Sequence, residues 1–396
     1  MLFGQASLKK QKMPRINFDK PLWIAAHFGF TPIEAPSISD IDVRVAKDCE
    51  ERAEKTSGRF ICNAIEKAAF LRHYGDKKFL NLLNPLAFSW RRGRDYSLEL
   101  VGYPVGVAEA KLIRTSLSIL SEEGYKDLTV EINSIGDKDS ILAYERELKN
   151  FLTKAGHEIS AELKKLFKED IFALAKEAGE EVENLRKDMP SSIASLSAQS
   201  RAQFKEVIDY LDALGIEYRF APELVGHKNL CSETLFAIRD KEMRLLAGGY
   251  RYSRLSKRFG FKKELSLIGA TIFGEKPAST RGSSSTRGGK AKDTKVYKEA
   301  PKAKFYLVHL GRDARMKALN LIETLRSSRI PIYHFLGRDK LTAQMQSPEA
   351  IRTPYHLIVG QKEAIDNTVT VRNVSTRAQD TIPLVRLPDY LKHLPL

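Results

Sequence analysis

Cysteine is scarce: Cys49, Cys62 and Cys231 are the three in 396 residues, scattered and odd in number. None stands in a Cys-x-x-Cys pair, so neither a disulfide framework nor a zinc site is indicated, and no metal ligands are assigned. Long apolar runs are also missing. No stretch approaches the ~20 residues that a membrane-spanning helix requires. The opening segment MLFGQASLKKQKMPR lacks the apolar centre of a secretory signal. A cytoplasmic chain without membrane association is the resulting expectation, and internal repeats are absent too. Positive charge, by contrast, is in excess: 65 Lys and Arg against 50 Asp and Glu give a net charge of +15. That balance favours a polyanionic partner, nucleic acid first. Hydrophobic content of 42% and charged content of 29% fit a globular chain with room for two or three ordinary cores.

Periodicity divides the chain into three parts. Residues 1–275 mix amphipathic helices (22–30, 61–74, 109–120, 202–214) with strand-like runs (128–135, 216–220). Within this part, about 139–200 is a charged helical insertion whose apolar stripe includes Tyr144, Leu148 and Phe151. The segment 224–238 reads as a strand hairpin. Residues 276–303, containing ASTRGSSSTRGGKAKDTK, have almost nothing to bury and read as a flexible basic linker, either a tether or an added attraction to RNA phosphates. Residues 304–396 alternate strand and helix, which predicts a separate α/β unit with a partly parallel sheet.

The stretch 245–271, LLAGGYRYSRLSKRFGFKKELSLIGAT, carries the densest signals. Gly248 and Gly249 permit close backbone approach. Arg251 and Tyr252 behind them suit an anion or a planar ring, and a second apolar run closes on Gly269. Spacing alone favours a plain reading, a glycine-rich hairpin connection followed by a solvated basic helix.

Four segments, in order, resemble histidyl-tRNA synthetase, a class II aminoacyl-tRNA synthetase. EINSIG (131–136), with Tyr144 and Leu148 after it, is similar to the family's strand and helix after motif 2. The segment 224–236 sits where the family has LVRGLDYYTRTVF, and 248–255 where it has GGRYDGL. LIVGQKEAIDNTVTVRN…QDTIPL (357–384) is similar to the end of the family's anticodon-binding domain. The resemblance, covering 22–387, implies an α+β fold: a class II core, an antiparallel sheet flanked by helices, over 1–275, and a C-terminal anticodon-binding-like α/β domain over 304–396. It also implies tRNA as partner and a homodimer paired near 22–38.

The chemical motifs depart from the family. In an ungapped match to LVRGLDYY, Gly226 takes the arginine's place, Asn229 the aspartate's, and Leu230 and Cys231 those of the tyrosines. Losing a donor aimed at transition-state charge typically costs ~10²–10³ in rate. Lys228 is the nearest substitute, as a point charge without arginine's planar fork. Where motif 3 has GxGxERL this chain has IGATIF, without the arginine that stacks on adenine. Motif 2, normally FRxER, reads SWRRGR, leaving Arg91, Arg92 and Arg94 as phosphate-binding candidates. Tyr250 is inserted in the GGRYD region and Ser253 replaces its aspartate, while the LRPEGT segment is not recognisable before Ala68.

Gly248, Gly249, Arg251, Tyr252 and Gly269 are thus the expected pocket floor, with Arg91, Arg92, Arg94 and Lys228 the ATP candidates. Three functions compete. One is a synthetase-like protein without normal histidine activation, binding tRNA, other RNA or a partner protein. The second is a divergent active histidine–tRNA ligase using ATP and Mg. The third is a regulatory relative similar to the synthetase-like subunit of ATP phosphoribosyltransferase, a subunit that lacks the C-terminal domain expected here.

Overall fold

The computed structural model describes residues 19–49, 62–75, 85–155, 159–176, 180–274 and 303–394; the basic stretch 276–302 lies outside them. Eight strands form one sheet: β1 (Thr31–Pro32), β2 (Leu86–Arg92), β3 (Asp95–Val101), β4 (Thr129–Ser134), β5 (Tyr218–Phe220), β6 (Ser232–Arg239), β7 (Leu245–Arg251) and β8 (Leu267–Ile272). Their order is β1-β2-β3-β8-β7-β6-β4-β5. The pairings are antiparallel except at the two edges, where β1 joins β2 and β5 joins β4 in parallel.

Both faces of this sheet are buried. On one, Leu98, Leu100, Ile268, Ala270 and Ile238 share an apolar core with the helices Lys20–His27, Val107–Glu122 and Ala198–Ala213. On the other, Phe88, Trp90, Val101, Leu235, Ala237 and Leu267 pack with the helix Ala64–Gly75 and with the helical segment after β4. That segment consists of Lys138–Lys154, Ala161–Glu169, Ala173–Lys176 and Glu180–Arg186. Tyr144 and Leu148 of its expected stripe are buried, and Phe151 packs at the margin.

The hairpin expected within 224–238 is corrected. Residues 224–231 are irregular with a turn at 228–230, Leu230 N and Cys231 N donating to His227 O, and only Ser232–Arg239 is strand; its hairpin partner is β7. Glu233, with φ of 53°, sits where the register of that pairing shifts. The plain reading of Gly248 and Gly249 as a hairpin connection is also corrected. Both lie inside β7, paired with Ala237 and Phe236 on one side and Thr271 and Ala270 on the other. Nor does the apolar run end at Gly269, since β8 continues to Ile272.

The C-terminal strands β9 (Phe305–His309), β10 (Ile332–His334), β11 (Tyr355–Val359), β12 (Thr368–Asn373) and β13 (Gln379–Pro383) make a second sheet in the order β10-β9-β11-β12-β13. Its first three strands are parallel and the last two antiparallel. Helix Arg312–Ser327 covers it, and that helix also reaches the first unit: Arg312 pairs with Glu206 at 3.1 Å and Asp209 at 2.6 Å, and Arg326 with Glu122 at 3.2 Å.

His334 Nε2 lies 3.1 Å from His27 O in the same contact region. Burial, then Arg326, lowers the His27 pKa to about 4; burial, then Arg315, lowers His309 to about 4. Both side chains are neutral and buried in the native state, whereas unfolded imidazoles take up protons near pH 6.5. The unfolded chain therefore binds more protons below that pH, and stability falls as pH falls. A loss approaching about 1.4 kcal/mol per pH unit per histidine is expected between the unfolded and folded values. Urea unfolding midpoints at pH 7.0, 6.0 and 5.0 check this. His309→Gln should flatten the profile, and a profile unchanged by that substitution would count against the assignment.

Candidate functional site

The expected floor lies where β7, β8 and β3 run side by side. Strand pleat sends alternate side chains to opposite faces, and that alternation decides which residues meet. In β3, Leu98 and Leu100 enter the helix-covered core, so Glu99 between them points to the face under helix Ala64–Gly75. Lys67 of that helix meets it. The Lys67 ammonium donates to Glu99 Oε1, and Tyr252 OH donates to Glu99 Oε2 at 2.6 Å. Lys67 is 1% exposed and Glu99 0%. The same ammonium lies over the rings of Tyr250 and Tyr252, 5.7 and 5.6 Å from their centroids, a cation–π arrangement that spreads its charge.

Burial raises the Glu99 pKa, while Lys67 and the Tyr252 hydroxyl pull it back down. Burial also lifts Tyr252 well above its ordinary value, with the Glu99 charge second, so the phenol keeps its proton and donates. Phe70, one turn after Lys67, stacks on Trp90 at 5.3 Å, and Trp90 is fully buried. Among the described residues, aromatic rings therefore surround a set of charges that pair with one another. Both carboxylate oxygens accept from buried donors and neither reaches solvent, so Glu99 is turned toward its own chain.

Gly269 is required by this arrangement. A Cβ there would overlap the Glu99 carboxylate, and one at Gly249 would overlap the Phe236 ring on the opposite face. Gly269→Ala is accordingly expected to destabilise by about 1–3 kcal/mol through overpacking, measured as a shift in the denaturant midpoint. A neutral result would mean that Glu99 is free to move aside. Arg251 projects to the same side as Gly249, donating from Nε to Glu109 Oε1 at 2.6 Å and from Nη1 to Ser266 Oγ at 3.1 Å. Glu109 in turn accepts from Gly106 N at 2.9 Å, so Arg251 ties β7 to the start of helix Val107–Glu122. Of the five expected floor residues, Tyr252 and Gly269 meet around Glu99, Gly249 and Arg251 face away, and Gly248 contributes backbone at mid-strand.

The candidate phosphate ligands are dispersed by the same alternation. Arg91 and Arg92 leave β2 on opposite faces. Arg91 donates to Asp19 Oδ2 at 3.0 Å, and Asp19 is the N-cap of helix Lys20–His27, accepting Leu22 N at 3.2 Å. Arg92 pairs with Glu66 of helix Ala64–Gly75 at 2.7 Å and also donates to Pro36 O. Lys228 sits in the turn before β6, paired with Glu145 at 2.9 Å. Arg94 is exposed in the β2–β3 turn. Arg91, Arg92 and Lys228 would each have to leave a carboxylate before meeting a phosphate. Among the described residues, no group of three or more His, Cys, Asp or Glu side chains is placed to hold a metal ion. None of their helices is long and apolar enough to cross a membrane.

Lys67 and Glu99 were not singled out by motif. The sequence signal for Glu99 is its place in a Leu-Glu-Leu alternation, which puts it on the face opposite Leu98 and Leu100. Lys67 had a weaker one, a charge inside the apolar spacing Ile65, Ala68, Ala69.

Comparison with known proteins agrees with the architecture. A family model described as an anticodon binding domain matches residues 304–394. A histidine–tRNA ligase of Halothermothrix orenii is 29% identical over 316 residues, covering 78% of this chain and 72% of the relative. Another, of Fervidobacterium nodosum, is 27% identical over 293 residues, covering 73% and 67%. The apo histidyl-tRNA synthetase structure of S. aureus covers 93% of both chains at 20% identity, with a TM-score of 0.47. In the order of its motifs and in its anticodon binding domain, this chain is similar to the histidyl-tRNA synthetase family.

Proposed function

We propose that this chain no longer activates histidine and acts instead by binding tRNA. The observation that carries the first half is the set of charges paired with one another. Acyl-adenylate formation needs donors aimed at phosphate charge in an open, preorganised site. Here Lys67, Glu99 and Tyr252 are aimed at one another, with Trp90 and Phe70 beside them. Gly226 and the segment after Gly269 lack the arginines that the family places there. Removal of several cooperating groups is not rescued by those that remain.

The second half is supported by the match of residues 304–394 to an anticodon binding domain and by the net charge of +15. Binding through phosphate contacts makes affinity fall steeply with salt, in proportion to the phosphates neutralised. Filter binding of tRNA to the full chain from 50 to 200 mM salt is expected to lose at least ~10-fold in affinity, as even a few such contacts require. An affinity independent of salt contradicts the reading.

The competing reading, an active ligase using ATP and Mg, requires Arg91 or Arg92, with Lys228 and Arg251, to exchange carboxylate partners for phosphates. ATP–pyrophosphate exchange separates the two. As in class II synthetases generally, we expect a homodimer, with the region 22–38 at its interface. A monomer in sizing experiments at micromolar concentration contradicts that part alone.

A further inference from the structure

Cys62 and Cys231 are 169 positions apart in the chain, yet their sulfurs lie 3.3 Å from each other. Both side chains are buried, at 1% and 0% exposure, in the core beneath helix Ala64–Gly75. The approach depends on Gly226, where a Cβ would overlap Cys231 Sγ. Gly226 and Cys231 are the positions at which the family signature carries an arginine and a tyrosine, so the two departures fit each other. Loss of the side chain at 226 opens the space that the thiol takes. Cys62 stands two residues before helix Ala64–Gly75, and Cys231 one residue before β6. A bond between them would pin the helix that fills the sheet face to the floor beneath it.

We propose that Cys62 and Cys231 form a disulfide when the protein meets hydrogen peroxide, making them a reversible modification site. One thiolate attacks a peroxide oxygen and breaks the O–O bond, giving a sulfenic acid and hydroxide that is protonated to water. The second thiolate attacks that sulfur, forming the S–S bond and releasing a second hydroxide, which becomes water. Two thiols lose two protons and two electrons, and one peroxide becomes two waters. The sulfurs must close from contact to about 2.05 Å, a movement that two side-chain torsions can share. Because both sulfurs are buried, oxidant reaches them when the helix opens locally. The reaction is therefore slow in buffer and faster in urea below the unfolding midpoint.

The test uses the full chain, treated with peroxide, alkylated and mapped by mass spectrometry without reduction. The expected product is a cross-linked pair of peptides holding Cys62 and Cys231, short of two hydrogens and cleaved by dithiothreitol, with Cys49 recovered alkylated. Cys49 is buried in the same core and serves as the internal control. Cys62→Ala and Cys231→Ala should each abolish the cross-link, and Cys49→Ala should keep it. Hydrogen exchange over 64–75 should slow in the oxidised protein. Mapping of the unsubstituted chain suffices if a variant fails to fold. Recovery of Cys62 and Cys231 as separate alkylated or sulfinic species, or a cross-link through Cys49, overturns the proposal.

Discussion

Lys67→Met is expected to lower the unfolding free energy by about 3–5 kcal/mol, the usual cost of removing one partner from a buried ion pair. The ammonium and the carboxylate are both essentially inaccessible, so no water replaces the lost charge. Tyr252 remains as a single neutral donor to Glu99. With Lys67 gone, burial dominates the carboxyl and it takes up a proton more readily. The Glu99 pKa, already raised by burial in the parent, should rise further in the variant, so its stability should depend more strongly on pH at this site. Lys67→Met combined with Glu99→Leu removes both charges together, and a buried pair replaced by apolar groups of similar volume is often close to neutral. The double variant should therefore recover most of the loss. Urea denaturation of the two single variants and the double gives the coupling energy directly. A single-variant loss under about 1 kcal/mol, the value of a solvated surface pair, would mean that the pair is hydrated and the face open.

This pair also shows where reading the residues alone stops. In helix Arg312–Ser327, Ala318, Leu319, Ile322 and Leu325 repeat at helical spacing and all are buried. Alternating runs such as Thr368–Asn373 were equally plain. Local patterns write local structure, and both elements are local. The expected floor was placed in the right strands, but alternation then split it between two faces, which a motif read as a string does not show. Gly248 and Gly249 suggested a turn because glycines usually mark one. Their actual setting, mid-strand between β6 and β8, depends on partners that come from elsewhere in the chain.

Long-range pairs were the least legible. Lys67 and Glu99 come from separate elements, and Cys62 meets Cys231 only because helix Ala64–Gly75 lies across the sheet. Arg91 was a sound candidate by charge and position, yet its partner is the cap of the first helix, Asp19. The family motifs told which chemical groups had been lost. Only the packing tells what stands in their place.

ATP–pyrophosphate exchange decides whether histidine activation is gone from this chain. Full-length protein is assayed with ATP, Mg and labelled pyrophosphate, with histidine and then with each other amino acid. No histidine-dependent exchange is expected above the amino-acid-free control, at least ~10³-fold below a normal synthetase rate, given the missing charge-stabilising donors. Histidine-dependent turnover at an ordinary enzymatic rate of ~1 s⁻¹ or more, abolished by Arg92→Ala or Lys228→Ala, would contradict that expectation.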